Sequence, residues 1–87
     1  MTEYIEMLEE KYKPLLIELA KKKEKLTMGD YIKTMLELAK DREMEGKGVK
    51  KEVEHALIVF AVRGYVTIEI TRPLRYTITI NEGITDE

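Results

Sequence analysis

The stretch VKKEVEHALIVFAVRG, residues 49–64, decides the fold, because it can be interpreted as a helix or, in part, as a strand. Its apolar residues recur at helical spacing and define one face: Val49, Val53, Ala56, Leu57 and Phe60. Residues 56–62 are also good strand formers, so a strand there is the alternative. No turn residue separates them from the helical pattern that precedes them, which favours the helix. We predict a helix over 49–63, ended by Gly64.

The side of this helix opposite the apolar face changes along its length. In the N-terminal half it carries Lys51, Glu54 and His55, so this half is amphipathic. In the C-terminal half it carries Ile58 and Val62, so this half is apolar all round. We expect the sheet, the first helix or a second subunit to cover that half.

Two further helices are predicted before this stretch. In residues 2–26 one apolar stripe indicates a helix: Ile5, Leu8, Tyr12, Leu15 and Leu19. Pro14 predicts either a kink or two helices with Pro14 in the first turn of the second. The stripe is assigned to core packing, with an inter-subunit contact as the alternative. A second helix over about 28–45 is predicted, because Thr27 and Asp30 fit a capping box and two glycines follow.

After Gly64 the sequence predicts an antiparallel hairpin. Apolar residues alternate with other residues on two strands: Val66, Ile68, Ile70, Leu74, Tyr76, Ile78 and Ile80. The preferred register pairs Ile70 with Leu74, because it sets Glu69 opposite Arg75. The alternative register pairs Ile70 with Tyr76.

Composition restricts the function. An 87-residue chain without cysteine and with one histidine has neither a disulfide framework nor a Cys or multi-His metal site, so we expect no metal or cofactor. No acid/base spacing, phosphate loop or nucleophile motif is present, so we expect no enzyme. No apolar run approaches the ~18 residues of a spanning helix, which predicts a cytoplasmic protein without a membrane partner. The excess of Lys and Glu resembles thermophile composition.

The order of predicted elements resembles that of the winged helix-turn-helix superfamily, especially small bacterial and archaeal regulators of the multiple-antibiotic-resistance and arsenical-resistance types. The similar segments are LTMGDYIKTMLELA, VKKEVEHALIVF, and RGYVTIEI with RYTITI. The resemblance implies an α+β fold of three helices and a two-stranded antiparallel wing. It predicts one domain over 1–80, with a helical extension at 1–13 that could serve as a dimerisation arm, and an acidic, flexible tail at 81–87. The long second helix and the extension depart from the family pattern.

The function that this resemblance implies is that of a homodimeric, DNA-binding transcriptional regulator. Helix 49–63 would enter the major groove of double-stranded DNA, and a wing tip at 71–73 would reach the neighbouring backbone or minor groove. The candidate DNA-binding residues are Lys47, Lys50, Lys51, Glu54, His55 and Arg72. The candidate dimer contacts are Ile5, Leu8, Tyr12, Ile58 and Val62.

Each of these assignments has a plainer alternative. Because the net charge is −2, a DNA contact has to be local. Glu52 and Glu54 lie among the lysines and would repel phosphate, so the second hypothesis is a protein-interaction module without DNA binding. Lys50 and Lys51 can be a solvated helix face, and His55 a half-buried packing residue.

Overall fold

The protein is described by a computed structural model that covers residues 2–44, 46–73 and 75–81, with only the backbone of Arg72. The helices α1, α2 and α3 span Thr2–Lys22, Met28–Asp41 and Val49–Arg63, and the strands β1, β2 and β3 span Lys25–Thr27, Val66–Arg72 and Arg75–Ile80. The α+β class, the three helices and the bounds of α3 are as predicted, and the strand alternative for 56–62 is excluded. Most of the predicted tail lies outside the described residues.

The core lies between the three helices and one face of the sheet. The largest fully buried side chains come from every helix and from β3: Leu8, Tyr12, Leu15, Leu16, Leu19, Tyr31, Met35, Val53, Phe60 and Ile78. The stripe of α1 is therefore used for core packing, the first of its two predicted uses. Pro14 lies inside one continuous helix, exposed to solvent, so the prediction of two separate helices is wrong.

The second helix begins as predicted but ends earlier. The Thr27 hydroxyl accepts a hydrogen bond from the Asp30 amide at 3.2 Å, as an N-cap does. The helix ends at Asp41 and not near 45, because Glu43 adopts a left-handed conformation with φ of 58°. The Met44 amide then donates to the Ala39 carbonyl at 2.9 Å and closes the last turn. Gly46 and Gly48, which served as the predicted stop signal, lie beyond this end, and the left-handed position is occupied by a glutamate that sequence pattern does not mark.

Within the described residues the sheet has three antiparallel strands in the order β1-β3-β2, one strand more than predicted. Its extra strand, β1, places Leu26 opposite Ile78, and Leu26 is buried there. A strand of three residues carries too little alternation to be recognised in the sequence.

The hairpin adopts the alternative register, with Ile70 opposite Tyr76, so the preferred register is wrong. The observed register sets Val66 opposite Ile80, and both side chains are buried. In the preferred register Ile80 would lie opposite Gly64, beyond the strand. Burying an aliphatic side chain contributes about 1.5–3 kcal/mol, whereas the exposed pair of Glu69 with Arg75 would contribute at most about 1 kcal/mol.

Candidate nucleic-acid interface

The N-terminal half of α3 presents a cationic surface. Lys50, Lys51 and Glu54 are exposed on the helix, and Lys47 is exposed in the turn before it. Gly48, with φ of 94°, forms that turn and precedes the first residue of α3. These four predicted site residues thus lie together at one end of α3. They carry three positive charges and one negative charge.

Glu52 lies on a different side of α3, where α1 crosses it. Its Oε1 atom accepts hydrogen bonds from Lys11 Nζ at 2.9 Å and from the Tyr12 hydroxyl at 2.7 Å. Burial raises the pKa of Glu52, but the hydrogen bonds from Tyr12 and Lys11 and the Lys11 charge outweigh burial, so the net pKa is lowered. Glu52 is therefore a charged, partnered residue of the α1–α3 contact and does not belong to the exposed surface.

Tyr12 is the other half of this contact. Its side chain is fully buried, and burial together with the hydrogen bond to Glu52 raises the pKa of its hydroxyl. Sequence reasoning missed this pairing. The available signal was a tyrosine within an apolar stripe, because a buried tyrosine hydroxyl usually needs a hydrogen-bond partner.

His55 also faces α1. Its Nδ1 atom is hydrogen-bonded to the Tyr4 hydroxyl at 2.8 Å, and the two rings meet edge to face with centroids 5.8 Å apart. The side chain is half-buried, as the plainer alternative for this residue predicted. This hydrogen bond uses one of the two ring nitrogens of His55, so a contact with a base edge would have to be made through Nε2.

The C-terminal half of α3 has an apolar exposed surface. Ile58 is 60 % exposed and Val62 is 81 % exposed. Together with Ile5, Val59 and Arg63 they line a groove of about 320 Å³ between α1 and α3. At its margin Arg63 Nε donates a hydrogen bond to Glu9 Oε1 at 2.5 Å.

Only part of the predicted dimer contact is accessible. Leu8 and Tyr12 are buried in the core of this chain, where they pack α1 against the rest of the domain. Ile5 is half-buried, and Ile58 and Val62 are exposed. Of the five predicted contact residues, these three are therefore the ones with side-chain surface left for a second copy.

The wing tip is described incompletely. The backbone of Arg72 pairs with Arg75 after an irregularity in β2, but the Arg72 side chain and Leu74 lie outside the described residues. Arg75 and Tyr76 line a cleft between the wing and the first residues of α2. Arg72 therefore remains a predicted DNA contact.

Three exposed acidic residues lie on one side of α1. Glu3, Glu6 and Glu10 are exposed and line a shallow depression on the outer side of α1, opposite its buried stripe. The overall negative charge is therefore unevenly distributed. The cationic end of α3 is a local feature, which is what a DNA contact requires of a chain with this net charge.

Comparison of the chain with protein-family models, curated proteins and solved structures finds no match. Across residues 2–44, 46–73 and 75–81, no three His, Asp or Glu side chains gather closely enough to hold a metal ion. Within the same ranges, no helix has both the length and the apolar character needed to cross a bilayer.

Proposed function

We propose that this protein is a winged-helix DNA-binding protein that regulates transcription, with the N-terminal half of α3 as its recognition segment. The arrangement of three helices followed by a hairpin is compatible with that fold, and the third strand extends the hairpin at its base. An α-helix with its side chains is about 10–12 Å wide, which fits the roughly 12 Å major groove of B-DNA.

The observation that carries this proposal is that the side chain of Glu52 points towards α1 and not towards the exposed lysines. Three cations and two carboxylates lie within residues 47–54, a balance that argues weakly for phosphate binding. Because Glu52 is held against α1 by Lys11 and Tyr12, only Glu54 remains among the exposed lysines. The main reason for the alternative hypothesis, repulsion of phosphate by both carboxylates, is thereby reduced to one residue.

The exposed residues suggest separate roles in such a complex. Lys47, Lys50 and Lys51 would bind phosphates and fix the position of α3 on the duplex. Glu54, one turn further along the helix, would accept a hydrogen bond from a cytosine amino group in the major groove. His55, whose Nδ1 atom is hydrogen-bonded to Tyr4, would support the orientation of α3 and would contact a base only through Nε2.

A second candidate function is that of a protein-interaction module. Ile58 and Val62 favour it, because large apolar side chains exposed side by side are typical of protein contacts. The two functions use different halves of α3, so they are separable by substitution.

The test is a titration of the protein against labelled mixed-sequence duplex DNA, followed by fluorescence anisotropy at low and at moderate salt. We expect binding that weakens steeply with salt, as for a contact dominated by phosphates. Lys51→Glu should reduce the affinity by about tenfold and lower the slope of log K against log salt by about 1.

The matched control is Lys23→Glu, which makes the same change in net charge. Lys23 is exposed between α1 and β1, next to Glu24, whose carbonyl accepts a hydrogen bond from the Ile80 amide of the hairpin, and it does not belong to the cationic end of α3. The control should bind nearly as well as the unmodified protein. Absence of binding at low salt, or equal losses for the two variants, would contradict the proposal.

A further inference from the structure

The outer edge of β2 presents backbone groups that the sheet does not use. Because β3 lies in the middle of the sheet, β2 has a neighbouring strand on one side only within the described residues. Residues 67–71 are exposed along this edge. The pairing of β2 with β3 is regular from Val66 to Ile70 and shifts between Ile70 and Arg72. The regular edge therefore ends at Ile70.

The hydrogen bonds at the end of the hairpin show which residues of β2 point outward. In an antiparallel pair, opposite residues alternate between hydrogen-bonded pairs and pairs whose backbone groups point away from each other. Extending the register by one residue places Tyr65 opposite Asn81, and the Asn81 amide donates to the Tyr65 carbonyl at 2.9 Å. The Ile80 amide, which donates to the Glu24 carbonyl on the other side of β3, agrees with this alternation. Every second residue of β2 therefore directs its amide and carbonyl to the outer edge: Val66, Ile68 and Ile70.

The side chains along the same edge alternate in character. On the face that continues the core, Ile68 is 37 % exposed and Ile70 is 68 % exposed. On the opposite face Glu69 lies between them and is exposed. Across the described part of the chain, Glu69 forms no salt bridge. A strand added to this edge would therefore meet two aliphatic side chains on one face and a carboxylate on the other.

We propose that the outer edge of β2 binds an extended segment of a partner protein in which a basic residue lies between two aliphatic residues. The partner segment pairs antiparallel to β2, as the strands of this sheet pair with one another. Its two aliphatic residues lie opposite Ile68 and Ile70 and exchange backbone hydrogen bonds with them. Its basic residue lies opposite Glu69, where the two side chains are close enough for a charge interaction.

The charge of Glu69 favours a partner protein over a second copy of this chain. Two β2 strands can pair antiparallel about a two-fold axis at residue 68, 69 or 70. The residue opposite Glu69 is then Thr67, Glu69 or Thr71, respectively. None of these is a cation, and the second alignment brings two carboxylates together. A lysine or arginine between aliphatic residues supplies the opposite charge that a second copy lacks.

The test uses the blocked peptide Thr-Val-Lys-Val-Thr as the probe and Thr-Val-Glu-Val-Thr as its control. Each peptide is titrated into the full-length protein labelled with nitrogen-15, and the backbone amide signals are followed by NMR. We expect the lysine peptide to shift the amide signals of Ile68 and Ile70. It should bind about fivefold more tightly than the glutamate peptide, because it replaces a cross-strand repulsion with an attraction.

Charge reversal and amide methylation test the two parts of the contact separately. Glu69→Lys should reverse the preference between the peptides, because the lysine peptide then meets a like charge. The matched control Glu54→Lys makes the same change in net charge on the exposed side of α3 and should leave the preference unchanged. Methylation of the two valine amides should abolish binding of the lysine peptide, because these amides donate to β2. Methylation of its lysine amide, which points to solvent, should not.

The outcomes do not depend on DNA binding. Shifts at Ile68 and Ile70, with a lysine preference that reverses in Glu69→Lys, support the inference. Absence of these shifts, or equal binding by the two methylated peptides, overturns pairing at this edge. A lysine preference that persists in Glu69→Lys, or that is lost equally in Glu54→Lys, overturns the chemistry assigned to the partner. Shifts of the same amides with protein concentration alone overturn the choice of a partner protein, because a second copy then occupies the edge.

Discussion

The two halves of α3 differ in what α1 does to them. In the N-terminal half, α1 removes polar groups from the surface by holding Glu52 and His55, so that lysines dominate what remains exposed. In the C-terminal half, α1 covers only one side and leaves Ile58 and Val62 in solvent. The exposed character of a helix therefore depends on the neighbour that crosses it as well as on its own sequence pattern.

The largest expected effect on stability is the difference between a buried and an exposed residue in the C-terminal half of α3. Phe60 is fully buried and Val62 is 81 % exposed, although both belong to the same apolar run. Phe60→Ala should lower the free energy of unfolding by about 3–5 kcal/mol, because it removes a buried aromatic ring and leaves a cavity. Val62→Ala should change it by less than about 0.5 kcal/mol. Urea denaturation at low micromolar concentration measures both.

Protein concentration makes this contrast sharper. If a second copy covers Ile58 and Val62, the stability of the unmodified protein rises with concentration, and the effect of Val62→Ala rises with it. Phe60→Ala should cost a similar amount at every concentration. A loss above 1 kcal/mol for Val62→Ala in dilute, monomeric protein would show that Val62 is buried within its own chain.

An intermediate loss of stability is expected when the contact between α1 and the N-terminal half of α3 is weakened. Glu52→Gln should lower the free energy of unfolding by about 1–2 kcal/mol at pH 7, because charge-assisted hydrogen bonds from Tyr12 and Lys11 are weakened. The pKa of Glu52 in the folded protein is below its ordinary value of 4.5. The folded state therefore binds fewer protons than the unfolded state, and the contribution of Glu52 is lost as the pH falls below about 4.5.

The measurement is urea denaturation of both proteins between pH 7 and pH 3. The difference between the unmodified protein and Glu52→Gln should shrink across the acid range. Glu18, whose pKa the hydrogen bond from Arg42 lowers, titrates in the same range but is present in both proteins and so does not enter the difference. Glu54→Gln is the control with the same charge change on an exposed position. A constant difference at all pH values would contradict the assignment to Glu52.

These features were not equally accessible from the sequence. The bounds of α3, the Thr27 cap and the stop at Gly64 are set by neighbours within about four residues, so spacing and residue type predicted them. The contacts that hold the Glu52 side chain depend on how α1 crosses α3. The residues in contact at that crossing are 40 or more positions apart in the chain. Local pattern contains no information about it.

The hairpin register and β1 illustrate the same limit. Parity reduced the register to two candidates, and the choice depended on whether Ile80 reaches the core. An exposed charge pair was the only local criterion, and it is weaker than the burial of one aliphatic side chain. β1 exists because Leu26 pairs with Ile78 of β3, which again depends on distant residues.

The smallest expected effect concerns the end of the apolar half, where α3 and α2 stop in the same way. After α3 the Tyr65 amide donates to the Phe60 carbonyl at 2.8 Å, and Gly64 is left-handed with φ of 82°. After α2, Glu43 occupies the equivalent position.

Because a side chain in this conformation costs about 1 kcal/mol, Gly64→Ala should destabilise the protein by about that amount. Glu43→Gly should stabilise it by about 0.5 kcal/mol, since glycine also loses more entropy on folding. Gly64→Asn, which tolerates this conformation, should lose less than Gly64→Ala in the same urea titration. Equal losses for alanine and asparagine would mean that contacts of the side chain, and not the backbone conformation, determine how the apolar end of α3 is closed.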